Sequence, residues 1–334
     1  MPFTLIKGTY HVRNYSPDGD SIRFMPTNPA LMSSLSGPVP KINARGYVQL
    51  RIEAVDTLET YCSPPSGGEP LNQPLAVTHA VRTALLGFVK ITNVVWSPNG
   101  STVVSANDGT PGYILARSVK KYGRPIAFVF AGTAPEADGA SVVLDAQRMQ
   151  QSFNYQAVAR SLAYATYYKG LFFDLRNALT TAVVLAWKQR LGVYRDDATT
   201  TGVVVSSLAV ITTDRPILPK LFRRTSEYMV NFGSIVGFKQ LMAKAKEPVY
   251  NLRQQNFTHF DMFIEQKSER IKLTRRPEEL IFDEMPTSPA PVLSLLLMSD
   301  SVLLPSRRRK FSDGRSDACA GALSQPMRVF GGPY

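Results

Sequence analysis

The sequence predicts an α+β protein built around a small β-barrel. Short β-like runs separated by turn residues dominate the first half, one segment of helical periodicity interrupts them, and two more helical segments follow the last run. The runs are "GTYHVRNY", "DSIRFM", "YVQLRIEAV" and "RPIAFVFAG", each bounded by Gly, Asn, Asp or Pro. Between the third and the fourth lies "LAVTHAVRTALLGFVK", where Val77, Val81, Leu85 and Phe88 recur at the spacing of one helix face. "FNYQAVARSLAYATYY" then reads as a second helix. "DLRNALTTAVVLAWKQRLGV" reads as a third, with Leu175, Leu179, Val183 and Ala186 on one side and Asp174 as its N-cap.

"YRDDATTTG" breaks the pattern near residue 197. Beyond it, "VVVSSLAVIT" reads as a strand and "LPKLFRRTSEYMVNFGSIVGFKQLMAKA" as mostly helical. "EPVYNLR", "FDMFIEQ" and "SERIKLT" read as short strands. Residues 198–285 are therefore expected to form a smaller mixed α+β accessory module. On that reading a chain ending near Asp197 folds by itself. From Pro286 the composition turns to Pro, Ser, Gly and Arg, which predicts a disordered tail over 286–334.

A chain of 334 residues with 44% hydrophobic and 19% charged residues has room for two domains and the composition of a folded protein. Two cysteines, Cys62 and Cys319, are too few for a disulfide scaffold or a Cys-rich zinc module. No basic stretch followed by an apolar core opens the chain, and "PVLSLLLMSDSVLLP" is short and carries Asp300. The expectation is a cytoplasmic protein without a membrane partner. A net charge of +12, spread along the chain, favours polyanions such as DNA or RNA as partners.

The three histidines, His11, His79 and His259, form no pair at metal-ligand spacing and read as structural or surface residues. No nucleophile elbow and no phosphate loop of the Walker type occurs. Carboxylates and arginines remain as the material for chemistry. "SPDGDSIRF" brings Asp18 and Asp20, "RIEAVDTLET" brings Arg51, Asp56 and Glu59, and "KKYGRPIAFVF" brings Arg124. Singly, each has a plain structural reading, because Asp-Gly and Lys-Tyr-Gly-Arg are common turn sequences. Strict alternation also sets Arg51 on the strand face opposite Leu50, Ile52 and Asp56. The strand must end or bulge before Asp56 if both serve one site.

Together and in this order, "DGDS", "RIEAVDTLET" and "YGRPIA" resemble the staphylococcal nuclease (thermonuclease) family, over roughly residues 5–197. "VARSLAYATYY" and "ALTTAVVLAWKQRLGVY" are similar to that family's last two helices. The resemblance implies a five-stranded OB-type barrel with three helices. It implies a calcium-dependent nuclease that cleaves DNA or RNA and leaves 3′-phosphate ends. By position it implies that Asp20, Asp56 and the carbonyl of Thr57 bind Ca²⁺. Glu59 becomes the general base, Arg51 and Arg124 hold the phosphate, Asp18 lies in the outer shell, and Tyr122 and Tyr167 line the nucleotide pocket.

These residue types suit that chemistry. Carboxylate oxygens match a hard cation with flexible coordination, and guanidinium groups offer phosphate a charged fork that lysine lacks. Two departures stand out: Ser21 follows Asp-Gly-Asp where the family has Thr, and Leu58 replaces the Pro before Glu59. The stretch from Phe24 to Gly46 is longer than the family's hairpin, and "CSPPSGGEPLNQP" stands where a mobile loop flanks the pocket. A second function class fits the same fold: a barrel that binds nucleic acid or protein without cutting. The carboxylates discriminate, since beside phosphate and without a metal they repel it.

Overall fold

The computed structural model describes residues 2–64, 67–120 and 122–283. The tail expected over 286–334 lies outside the described residues.

Five strands close a barrel: β1 (Phe3–His11), β2 (Ser21–Pro26), β3 (Val48–Ile52), β4 (Thr110–Val119) and β5 (Pro125–Ala131). Around the ring β1 pairs with β2, β2 with β3, β3 with β5, β5 with β4, and β4 with β1. Every pairing is antiparallel except β3 with β5, where Arg51 lies beside Ile126. Ile6, Tyr10, Ile22, Phe24, Leu50, Ile114 and Val129 share the inner face and are buried, and the Tyr10 hydroxyl donates to the carbonyls of Tyr113 and Phe130, both at 2.9 Å. A buried phenol this deep needs such acceptors.

Three of the strand readings match β2, β3 and β5 closely, while β1 begins five residues earlier than "GTYHVRNY" suggested. β4 has no period-2 signal. Residues 112–116 are buried in succession and a bulge interrupts the pairing between Ala116 and Ser118, so side chains facing both ways are apolar.

The helix expected after β3 is α1 (Leu75–Phe88), which buries Val81 and Leu85. The second, α2 (Phe153–Ala159), is shorter than predicted, because Ser161 adopts φ +59° and the chain leaves the helix. Residues 164–165 then pair with Val55 and Asp56, and β6 (Tyr167–Tyr168) joins another sheet. α3 (Phe173–Gln189) buries Leu175, Leu179, Val183 and Ala186, the face read from periodicity. Its N-cap is Phe172, and Asp174 sits in the first turn, where a carboxylate still favours the helix dipole.

Beyond residue 197 the helical stretch forms α4 (Pro219–Phe232) and α5 (Phe238–Ala245), separated where Gly233 turns left-handed. "VVVSSLAVIT" contributes only Val203–Val204 as strand, then a π-helical turn. The remaining strands are β7 (Pro248–Asn251), β8 (Asn256–His259), β9 (Ile264–Lys267), β10 (Arg270–Leu273) and β11 (Leu280–Phe282). β6 pairs in parallel with β11, which pairs with β7, so one sheet contains strands from both sides of residue 197. The Tyr164 hydroxyl donates to Asp197 at 2.8 Å, and one continuous hydrophobic core includes Phe153, Val193, Phe222 and Phe282. Among the described residues, no helix is long and apolar enough to cross a membrane.

Candidate active site

The end of β3 assembles the charged residues. β3 stops at Ile52, and Ala54 takes a left-handed conformation at φ +62°, so alternation restarts before Val55 and Asp56. Asn154 of α2 secures this break. Its side-chain amide donates to the carbonyls of Glu53 and Ala127, at 2.8 and 3.1 Å, and its oxygen accepts from Val129 N–H. The turn brings Asp56 back to the side of Arg51.

Asp20 arrives from the other direction. Its carbonyl accepts from Ile52 N–H at 2.9 Å, and the next residue, Ser21, pairs with Arg51 across β2 and β3. The preceding Gly19 packs so closely that an added Cβ would lie 2.6 Å from Val81 and 2.8 Å from Thr57. Only glycine lets the acidic turn sit on α1. Leu58 is fully buried and anchors the segment before Glu59 by packing, in place of a proline ring.

Arg51 spans two carboxylates. One terminal nitrogen contacts Asp20, and the other meets Asp56 Oδ1 at 3.2 Å. A second arginine continues the row. Arg223, on α4, lies 3.6 Å from Asp56 Oδ2 through one nitrogen and contacts the Glu59 carboxylate through another. The result is an alternating line of charges, Asp20, Arg51, Asp56, Arg223 and Glu59. Asp56 is fully buried and Glu59 nearly so. Burial pushes the Glu59 carboxyl up to about 8 against the pull of Arg223, and the charges of Asp18 and Asp56 add to the rise. Asp18 is also raised by desolvation, although Gly19 N–H and the Thr60 hydroxyl hydrogen-bond to it. Four carboxylates thus share the neighbourhood of two contacting arginines, and the surplus negative charge favours protons or a cation.

The family's calcium set can be tested on this geometry. Asp20 and Asp56 bring hard oxygens to the same guanidinium, and Asp56 Oδ2 is buried without a hydrogen-bond partner. Such a set fits a hard divalent cation completed by water and phosphate. Among the described residues, no group of three or more His, Cys, Asp or Glu side chains is arranged to hold a metal. The fit is that of a two-carboxylate site.

No family model matches the chain, and no curated protein matches it.

The other residues singled out from the sequence are placed less centrally. Arg124 immediately precedes β5, the strand beside β3, and its carbonyl accepts from Lys120 N–H at 2.9 Å. Tyr122 is half-buried in the same turn. Gly123 makes that turn possible, with φ +78° and Lys41 so close that a Cβ would lie 2.6 Å from its side chain. The long stretch after β2 therefore packs along β4 and this turn, with Ser36 N–H donating to the Arg117 carbonyl and Val119 N–H donating to the Ser36 carbonyl. Tyr167 points into the fold, where its hydroxyl reaches Arg176 O at 3.2 Å and Thr180 Oγ1 at 2.8 Å. Strand alternation turns its neighbour Tyr168 the other way. Burial raises the Tyr168 phenol, but Lys220 and Lys120 outweigh it and lower it overall, and Asp56 and Arg223 lie within electrostatic reach. The Lys120 ammonium sits 3.7 Å from the centre of its ring.

Two features of the site carry no signal in the sequence. Arg223 lies 164 residues from its partner Glu59, and nothing in "LFRRTSEY" names that partner. Gln73 joins them from the loop just before α1. Its side-chain oxygen accepts from Glu59 N–H at 3.1 Å, its own N–H donates to the Glu59 carbonyl at 2.8 Å, and its side-chain amide donates to Ile217 O at 2.7 Å.

Proposed function

We propose that the protein is a calcium-dependent nuclease that hydrolyses phosphodiester bonds in DNA or RNA and leaves 3′-phosphate ends. One observation carries the reading: Asp20, Arg51, Asp56 and Glu59, far from unusual singly, converge in one buried cluster at the end of a barrel strand. The strand order, with β3 running parallel to the last barrel strand, supports an OB-type barrel of the staphylococcal nuclease kind.

In this reading Asp20, Asp56 and the Thr57 carbonyl hold the ion. When bound, Ca²⁺ supplies a Lewis acid that polarises a phosphoryl oxygen. Glu59 accepts a proton from the attacking water. Its enclosure keeps bulk water away from that carboxylate and strengthens every charge interaction around it. Arg51 and Arg124 hold the phosphate and the charge that grows on its oxygens. Tyr122 belongs at the mouth with Lys120 and Tyr168, where a base can stack and a phosphate can find positive charge.

The alternative, a barrel that binds nucleic acid or protein without cutting, has one observation in its favour. Arg223 already engages both Glu59 and Asp56. Digestion of a supercoiled plasmid and of a labelled RNA by the purified protein, with calcium and then with chelator, separates the two. Calcium-dependent cleavage that disappears in Glu59→Gln supports the nuclease. Tight binding without cleavage in either metal condition supports the alternative.

A further inference from the structure

We propose that Arg223 is a positioning residue of the catalytic centre, holding Glu59 in place relative to Asp56, so that the site is built from residues on both sides of position 197. The inference rests on the nuclease reading and adds to it a residue outside the segment that resembles the family.

Geometry argues for a built-in part. Arg223 spans Asp56 and Glu59 as Arg51 spans Asp20 and Asp56, so removing it would leave the Glu59 end of the row without a partner. Among the described residues, Glu59 is otherwise tethered through its backbone, by Gln73. A carboxylate that must face a water and a phosphate needs its rotamer held, and a planar guanidinium with two terminal nitrogens can do this while remaining charged.

The support beneath Arg223 is equally fixed. α4 begins just after Ile217, which accepts from the same Gln73 that binds the Glu59 backbone. One residue to either side of Arg223, the side chains of Arg224 and Phe222 lead elsewhere. Arg224 pairs with Glu247 at 3.4 Å, and Phe222 is fully buried. Lys220, on the same helix, contacts Glu247, and both are buried. A displaceable plug would sit on a weakly held segment, whereas this helix is tied to the core and to the loop of the base it touches. The Arg223 side chain is about a quarter exposed, against 5% for that of Glu59, so the arginine faces the mouth and the carboxylate lies behind it.

The test uses the full chain and a single-stranded DNA oligonucleotide in calcium. Variants Arg223→Met, Arg223→Lys, Glu59→Gln and the Arg223→Met/Glu59→Gln double are compared for kcat and KM, with thermal unfolding confirming a folded protein. Arg223→Met is expected to lower kcat by about 10²-fold with little change in KM, and Arg223→Lys to recover part of that loss. Because Arg223 acts through Glu59, the double variant should be no slower than Glu59→Gln alone. Unchanged or faster cleavage by Arg223→Met overturns the proposal, the faster outcome marking the arginine as a plug. Losses that multiply in the double variant overturn it too, since they mean an independent role. If Arg223→Met does not fold, the same comparison is made with Arg223→Lys and its Glu59→Gln double. An inert wild type in both DNA and RNA assays defeats the nuclease reading itself. An active wild type with an indifferent Arg223 defeats only the positioning role.

Discussion

Glu59 is the residue on which the proposed chemistry turns. It is buried, raised well above the ordinary carboxylate range by that burial, and held at one oxygen by Arg223. Glu59→Gln keeps the shape and the Gln73 backbone bonds but cannot accept a proton. Turnover should fall by about 10²–10⁴-fold while thermal unfolding stays cooperative. Nearly normal cleavage by a folded Gln variant would remove Glu59 from the mechanism. Asp20 and Asp56 are tested by the ion. Calcium should raise the unfolding midpoint of the wild type by mass action on the folded state, and Asp20→Asn and Asp56→Asn should each diminish that rise. Mg²⁺ should substitute poorly, because it demands a tighter octahedron and sheds water reluctantly. Calorimetric scans with each metal and with chelator report this directly, and equal calcium shifts in all three proteins would exclude both carboxylates as ligands.

Elements carry these side chains only because their ends are specified. β3 terminates through the left-handed Ala54 and the Asn154 clip, which is how Arg51 and Asp56 come to share a side. α4 depends on a different device, a buried ionic cluster in which Lys220 and Arg224 flank Glu247. Burial alone would raise the Glu247 carboxyl, but Lys220 and Arg224 outweigh it and hold it at about 2, below its ordinary 4.5. A carboxyl lowered on folding stabilises the protein above its unfolded value and loses that contribution as pH falls through the folded one. The wild type should therefore lose stability between about pH 4.5 and 2 in part through Glu247. Glu247→Gln should lack that part of the acid transition and be destabilised at neutral pH, on the order of 3 kcal/mol, since Lys220 stays buried without its partner. Chemical denaturation of both proteins at pH 7 and pH 3 gives the comparison. An unchanged acid limb in the variant would mean that other groups govern it.

At the scale of the molecule, the question is whether residues 198–283 are an appendage. β6 pairs with β11 across position 197, Gln73 bonds to Ile217, Tyr164 bonds to Asp197, and the hydrophobic core is continuous. A chain ending at Asp197 would expose the edge of β6, leave the Gln73 amide without its acceptor and lose Arg223. Such a fragment is expected to aggregate or to be inert, against the independence suggested by sequence composition. A chain ending at Asp283 is expected to fold and to cut. Expression of both, with circular dichroism and a cleavage assay, decides it, and an active soluble fragment ending at Asp197 would show that the contacts across that position are dispensable.

Local periodicity sufficed for much of this architecture. The α1 and α3 faces, the β2, β3 and β5 strands and the acidic and basic turns at their ends are encoded by neighbours a few residues apart, and an amphipathic pattern reads the same before and after folding. The need for a break between Arg51 and Asp56 was legible too, because alternation along a strand is a local rule. β4 was not, since a strand buried on both faces loses its period. The register of β6 was not legible either, because it is set by pairing with β11, more than a hundred residues away. Arg223 was invisible for the same reason at greater distance: one arginine on a polar helix resembles any other until folding sets it against Asp56 and Glu59. Charge pairs between distant segments have no period and no spacing, so their partners are chosen by the packing that brings the segments together.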